Sequence, residues 1–134
     1  MRYFYIGLAI LLLCLALCFT VTAVLDHYTE EAASLLEQAA ERADRGDFQA
    51  AAQLVAQTRD FWERHHGFFG IALRHAESDT INSTFRELLE YAENKCTEEF
   101  EPTCADLIAQ IRHLSDMEKP YYYNILAAGT PAVP

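Results

Sequence analysis

Residues that interrupt helices are scarce in this chain. Five Gly and four Pro in 134 residues are too few for a turn-rich β fold or a low-complexity chain. Basic charge is scarce as well: 10 Lys and Arg face 20 Asp and Glu, a formal net charge of -10 at pH 7. That balance excludes the basic footprint that nucleic acid requires, and it disfavours adsorption to anionic headgroups. Motifs of common chemistry are missing too. The sequence has no Gly-rich phosphate loop. It has no Ser/His/Asp, Cys/His or paired-carboxylate arrangement at informative spacing, and among so many acids some carboxylate pair is always found. No cofactor is called for, and an enzyme is not expected. The length allows one small domain.

Charge is absent from one region in particular. The first 25 residues contain Arg2 and no other charged residue, and every acid lies at or after Asp26. Within that region Ile6 to Leu25 is a run of 20 uncharged residues. As a helix it would be about 30 Å long, enough to cross the hydrocarbon core of a lipid bilayer. Tyr3 and Tyr5 stand where interfacial aromatics are favoured. Residues 1–25 are therefore expected to be an uncleaved anchor, with residues 6–25 in the bilayer. The rival reading is a signal peptide cleaved after Ala23, at Val21-Thr22-Ala23, although its apolar core would be unusually long. Arg2 on one side and Asp26, Glu30 and Glu31 on the other place the amino terminus in the cytoplasm and residues 26–134 outside it. Cys14 and Cys18 read as packing or lipid-facing thiols.

Beyond the anchor the apolar period is helical, and an all-α acidic domain is expected over residues 26–126. Ala32, Leu35, Leu36, Ala39 and Ala43 form one stripe. Gly46 suits the left-handed residue that ends a helix, and Asp47 suits the next N-cap. Phe48, Ala51, Ala52, Val55, Thr58 and Trp62 form the second stripe. A third helix is expected from Ile71 onward, with Ile81, Phe85, Leu88 and Ala92 on its face. Pro102 fits the first turn of a fourth, carrying Leu107, Ile108, Ile111 and Leu114. The pattern predicts two helical hairpins, 27–66 and 68–118, and a disordered tail at 127–134. Sliding the chain by 53 residues sets Leu35-Leu36-Glu37 on Leu88-Leu89-Glu90 and Ala56-Gln57 on Ala109-Gln110. That similarity suggests a duplicated helix-turn-helix unit of tetratricopeptide-like architecture.

Candidate functional residues are few. His65, His66 and His75 with Glu63, Glu77 and Asp79 are the densest set of metal-ligating types, but their spacing fits no closed zinc site. Solvated helix ends account for them better, and no metal is assigned. Trp62, Phe68 and Phe69 concentrate aromatics near the second hairpin. They can be core filling or a contact surface. Cys96 and Cys104 bracket the expected connection between the third and fourth helices, where a disulfide between adjacent helix ends is geometrically accessible.

The order of these features resembles a known family. An anchor is followed by a Gly-Asp-Phe turn and Trp62, then by His75-Ala-Glu77-Ser-Asp79-Thr-Ile81, and finally by HLSDMEKPYYYNIL from His113 to Leu126. Together they resemble the bacterial family of small single-pass membrane proteins known as domain of unknown function 4363. The chain departs from that pattern at Ser78, where an apolar residue is expected, and in the stretch from Cys96 to Cys104. The resemblance implies architecture and membrane attachment and supplies no activity. The expected function is a non-enzymatic, membrane-anchored module outside the cytoplasm. Its partner would be another membrane or extracytoplasmic protein, held by Trp62, His75, Glu77 and Asp79. The alternative is a ligand- or metal-sensing domain built on His75, Glu77 and Asp79.

Overall fold

The structure is a computed structural model that describes residues 1–69 and 75–118. The expected helix start at Ile71, the closing Pro120 to Leu126 stretch and the tail at 127–134 lie outside the described residues. Among the described residues there are four helices: α1 (Arg2–Asp44), α2 (Phe48–Phe69), α3 (His75–Glu93) and α4 (Thr97–Glu118). No strand occurs among the described residues.

The apolar amino-terminal segment and the first helix of the first hairpin are a single element. α1 runs unbroken for 43 residues, about 65 Å at 1.5 Å per residue. Between Arg2 and Asp44 there is no Pro and only one Gly, Gly7, so nothing interrupts the helix. Residues 1–21 are exposed, and Leu25 is the first buried side chain. By length and composition this helix is suited to cross a membrane. Its polar side chains are satisfied internally, as a span requires: Thr20 Oγ1 donates to the Ala16 carbonyl at 2.8 Å and Thr22 Oγ1 to the Cys18 carbonyl at 3.0 Å.

Both hairpin turns close in the same way. At the first, the Gly46 N–H bonds the Ala43 carbonyl at 2.9 Å and the Asp47 N–H bonds the Arg42 carbonyl at 2.9 Å. These are the paired bonds of a Schellman motif, with Gly46 in the left-handed region at φ 79. At the second, Lys95 bonds Ala92 at 3.3 Å and Cys96 bonds Tyr91 at 2.9 Å, with Lys95 at φ 56. The sequence-based expectations for Gly46 and Asp47 therefore hold, and Asp47 Oδ1 accepts the Ala50 N–H at 3.1 Å as an N-cap.

The repeat is present in a register different from the one expected. Asp44 corresponds to Glu93 and Phe48 to Thr97, which is an offset of 49 residues. In that register buried positions coincide: Thr29 with Ser78, Leu36 with Phe85, Ala43 with Ala92, Ala51 with Phe100, Val55 with Cys104 and Trp62 with Ile111. An offset of 53 would set Gly46 on Glu99, inside α4. The two registers differ by about one helical turn. Such a slip leaves apolar stripe on apolar stripe, so residue identities alone did not reject it. Ser78 is explained by the same correspondence, since it is buried and continues the α3 stripe as Thr29 does that of α1.

Each helix packs on its two neighbours in a ring, α1 on α2, α2 on α3, α3 on α4 and α4 back on α1. The hairpins thus close on each other as a four-helix bundle and do not extend into an open array. The α1–α4 seam fixes the direction of return. Cys104 Sγ donates to the Leu36 carbonyl at 3.2 Å, Arg112 bonds Glu30 and Glu37, and the Ser115 hydroxyl bonds the Asp26 carboxylate. α4 consequently ends beside Asp26, at the end of the bundle where the apolar part of α1 leaves it.

Two expectations near α4 are corrected. Cys96 and Cys104 do not bracket a loop, because α4 begins at Thr97 and continues through Cys104. Eight residues of helix separate their backbones by about 12 Å, beyond bridging range, and both thiols are free. Pro102 lies inside α4 and not in its first turn, so the Glu98 carbonyl loses its bond within the helix.

Candidate functional site

At the end of the bundle nearest the apolar half of α1, the start of α3 and the end of α4 diverge. They leave a cleft of about 250 Å³ lined by Glu77, Thr80, Ile81, Gln110, His113 and Leu114. Each helix contributes residues at i, i+3 and i+4, the spacing of a single helical face. Ile81 and Leu114 form the floor, at 2% and 5% exposure. Glu77 and Gln110 are half-buried on the walls, and Thr80 and His113 are exposed at the rim.

The polar groups of this cleft are unevenly satisfied. Glu77 lies in the first turn of α3, where a carboxylate is favoured by the helix dipole. It has no ion-pair partner among the described residues. Gln110 Oε1 is shielded from solvent and has no hydrogen-bond partner among the described residues. A shielded carbonyl oxygen without a donor is destabilising, but the same shielding keeps it out of reach of a group that enters the cleft. The nearby cation is already engaged: Arg112 Nε lies 3.3 Å from Glu30 and its Nη2 lies 3.0 Å from Glu37. Hydrogen bonds to Glu30 and then Glu37 raise the pKa of Arg112 further above its ordinary value.

The four residues expected to form one face are separated by the fold. Trp62 is fully buried in the core, so the core-filling reading holds and it offers no contact surface. Glu77 lines the cleft, whereas Asp79 is exposed outside it, because residues two apart on a helix point in different directions. The side chain of His75, like those of His66, Phe68 and Phe69, lies outside the described residues. His65 is half-buried against Tyr28 and Phe61, with ring centroids at 4.3 and 4.4 Å, and its Nδ1 lies 2.7 Å from the Phe61 carbonyl. It is engaged within the bundle. No group of three or more His, Cys, Asp or Glu among the described residues is placed to hold a metal.

Sequence reasoning found Glu77 and missed Gln110 and Thr80. Neither has a chemically distinctive type or spacing, and only the register between α3 and α4 brings them together. Cys104, the other buried group with potential chemistry, is inert: burial, with a smaller effect from Glu37, pushes its thiol pKa up to about 12.

These features define the class as a closed four-helix bundle continuous with an exposed apolar amino-terminal helix, carrying a cleft where the two meet. The chain belongs to the family described as domain of unknown function DUF4363, whose model matches residues 19–125. No curated protein and no solved structure matches it.

Proposed function

We propose that this protein is a non-enzymatic module, anchored in the membrane by residues 6–25 and lying outside the cytoplasm beyond them, that holds a protein partner at the membrane surface. The observation that carries this reading is the continuity of α1, which joins an exposed apolar segment to the bundle without a hinge. An anchor joined in this way keeps the cleft end of the bundle close to the bilayer and fixes its orientation. Residues 26–134 hold all 20 acids and nine of the bases, which selects a basic partner and disfavours anionic lipid. The cleft between α3 and α4 is the natural contact region, because it sets a half-buried carboxylate, Glu77, beside an apolar floor of Ile81 and Leu114.

The test is photo-crosslinking in native membranes from Thr80 and His113, with Gln49 at the opposite end of the bundle as a control. A single protein captured from both cleft positions and not from Gln49 supports the reading. Equal capture from all three, or none, overturns it. Topology is tested by an impermeant thiol reagent on intact cells carrying a Cys in the Ala127 to Pro134 tail. Labelling only after permeabilisation reverses the orientation, and a purified mass that begins after Ala23 removes the anchor.

A further inference from the structure

One side of the bundle carries little of the acidic charge that covers the rest. Residues 48–58, the first half of α2, contain no charged side chain, the longest such run in the described part of the bundle. The side chains that this segment turns to solvent include Gln49, Gln53 and Gln57, spaced four residues apart along one side of the helix. Beside them a groove between α2 and α3 is floored by half-buried Phe48, Ala52, Ala56 and Leu89. At its rim the opposite charges of Lys95 and Glu93 cancel.

That composition decides what suits the face. A basic partner gains nothing from a surface without net charge. Two copies of this chain, each with a formal net charge of -10, repel one another and approach at least cost where neither presents charge. A two-fold contact also sets residues near their own counterparts. Glutamine meets that condition, because its amide both donates and accepts, and alanine lets two backbones come close. α1 passes from its apolar segment into the bundle without a hinge. Copies anchored in one membrane, as proposed above, therefore stand parallel and bring α2 alongside α2.

We propose that the outer face of α2, with the groove it shares with α3, is the seam between two copies of this chain standing side by side in the membrane. Gln49, Gln53 and Gln57 of each copy line the seam, with the apolar groove beside them. The patch is small, and confinement to one membrane supplies the effective concentration that it needs. This contact goes beyond the partner-holding function and shares with it the anchor alone, since the cleft opens between different helices at the opposite end of the bundle.

The experiment is photo-crosslinking of the full chain in native membranes from Gln53, with the exposed Glu101 of α4 as a control. The expected product from Gln53 has twice the mass of the chain and is absent from Glu101. Its mass distinguishes it from a partner captured at the cleft. An adduct with a different protein, no adduct, or equal doubling from both positions overturns the seam, and cleft capture that persists leaves the partner-holding function intact. A second measurement follows energy transfer between labelled copies as phosphatidylcholine dilutes them. Gln53→Glu sets like charges across the seam and should weaken association at least about tenfold, with the melting temperature unchanged. Added salt should strengthen association of the parent, because it screens the acidic surfaces. Association that Gln53→Glu leaves undiminished lies elsewhere, as in the apolar segment, and overturns the seam. So does association that salt weakens, the mark of a charge-paired contact.

Discussion

At equivalent positions of the two hairpins the buried side chains differ in size. Ala32 stands against Ile81, Leu36 against Phe85, Ala39 against Leu88 and Ala51 against Phe100, while the first hairpin is the bulkier at Trp62 against Ile111 and, by less, at Val55 against Cys104 and Thr29 against Ser78. α1 lines its side of the core largely with Ala, which lets α2 and α4 approach it closely, and the second hairpin supplies most of the volume. Interiors are packed to nearly constant density, so what must be maintained is total volume and not the size at each site. Two copies of one backbone plan can therefore diverge, provided that the gain in one is matched by the loss in the other. The amino-terminal half of α1 fits this division. A helix whose first half is an exposed apolar segment offers the bundle only a narrow, small-residue face.

The strongest test of this division is the position where the first hairpin carries the largest excess of bulk. Trp62→Ala is expected to cost about 3–5 kcal/mol, and Ile111→Ala about 2–5 kcal/mol, as deletions from a filled core. Urea unfolding of the detergent-solubilised chain measures both. If Trp62→Ala unfolded normally while abolishing partner capture, the tryptophan would be a contact residue and its place in the core would be wrong.

Val55 and Cys104 sharpen the comparison through titration, because they occupy equivalent buried sites with different chemistry. The Cys104 thiol has its pKa raised from 9.0 to about 12 in the folded chain. Its contribution to stability is complete below pH 9 and is lost as pH rises towards 12, because the unfolded thiol ionises first. The slope should be about 1.4 kcal/mol per pH unit. Cys104→Val, which copies the first hairpin, should remove that slope relative to the parent while leaving neutral stability within about 1.5 kcal/mol. Parallel alkaline profiles for the two proteins would show that the thiol is not buried.

How far the sequence revealed this arrangement follows from which interactions are local. The apolar stripes, the Gly46 turn, the Asp47 cap and the exposed apolar segment depend on residues within one or two turns of each other, and all were legible. Leu35 was placed on the buried stripe and is only half-buried, an error of one position around the helix. The repeat register, the course of α4 past Cys96 and the pairing of Glu77 with Gln110 depend on how helices meet, which one-dimensional periodicity does not encode. The second turn was hardest to read because it reaches the geometry of the first without its usual residues. Lys95 replaces Gly46 and Cys96 replaces Asp47.

Exchanging those turn residues should give opposite signs. A methyl at Gly46 would meet nothing within 4 Å, so the cost of Gly46→Ala comes from the left-handed backbone alone, about 1–2 kcal/mol. At Lys95 the same strain is already present, and Lys95→Gly should recover about 0.5–1 kcal/mol after the greater freedom of glycine in the unfolded chain is counted. Thermal unfolding at neutral pH reads both. A loss of stability in Lys95→Gly would mean that the left-handed residue is not the point of strain in the second turn.

The smallest expected difference lies at the caps. Asp47 Oδ1 holds the Ala50 N–H at 3.1 Å, whereas Cys96 Sγ turns back towards the Asn94 carbonyl at 3.7 Å. Asp47→Ala should therefore cost about 1 kcal/mol, and Cys96→Ser should gain about 0.5–1 kcal/mol by giving the start of α4 a hydroxyl acceptor. Serine is the informative choice, because Glu98, Glu99 and Glu101 already fill this turn with negative charge and an added aspartate would repel them. Native-state hydrogen exchange can localise the effect, since a cap slows exchange at the first amides of its own helix and leaves the opposite hairpin unchanged. If Cys96→Ser protects nothing while Asp47→Ala releases the start of α2, the beginning of α4 is held by burial of Phe100 and not by its cap. The two turns would then share a backbone path while differing in what stabilises it.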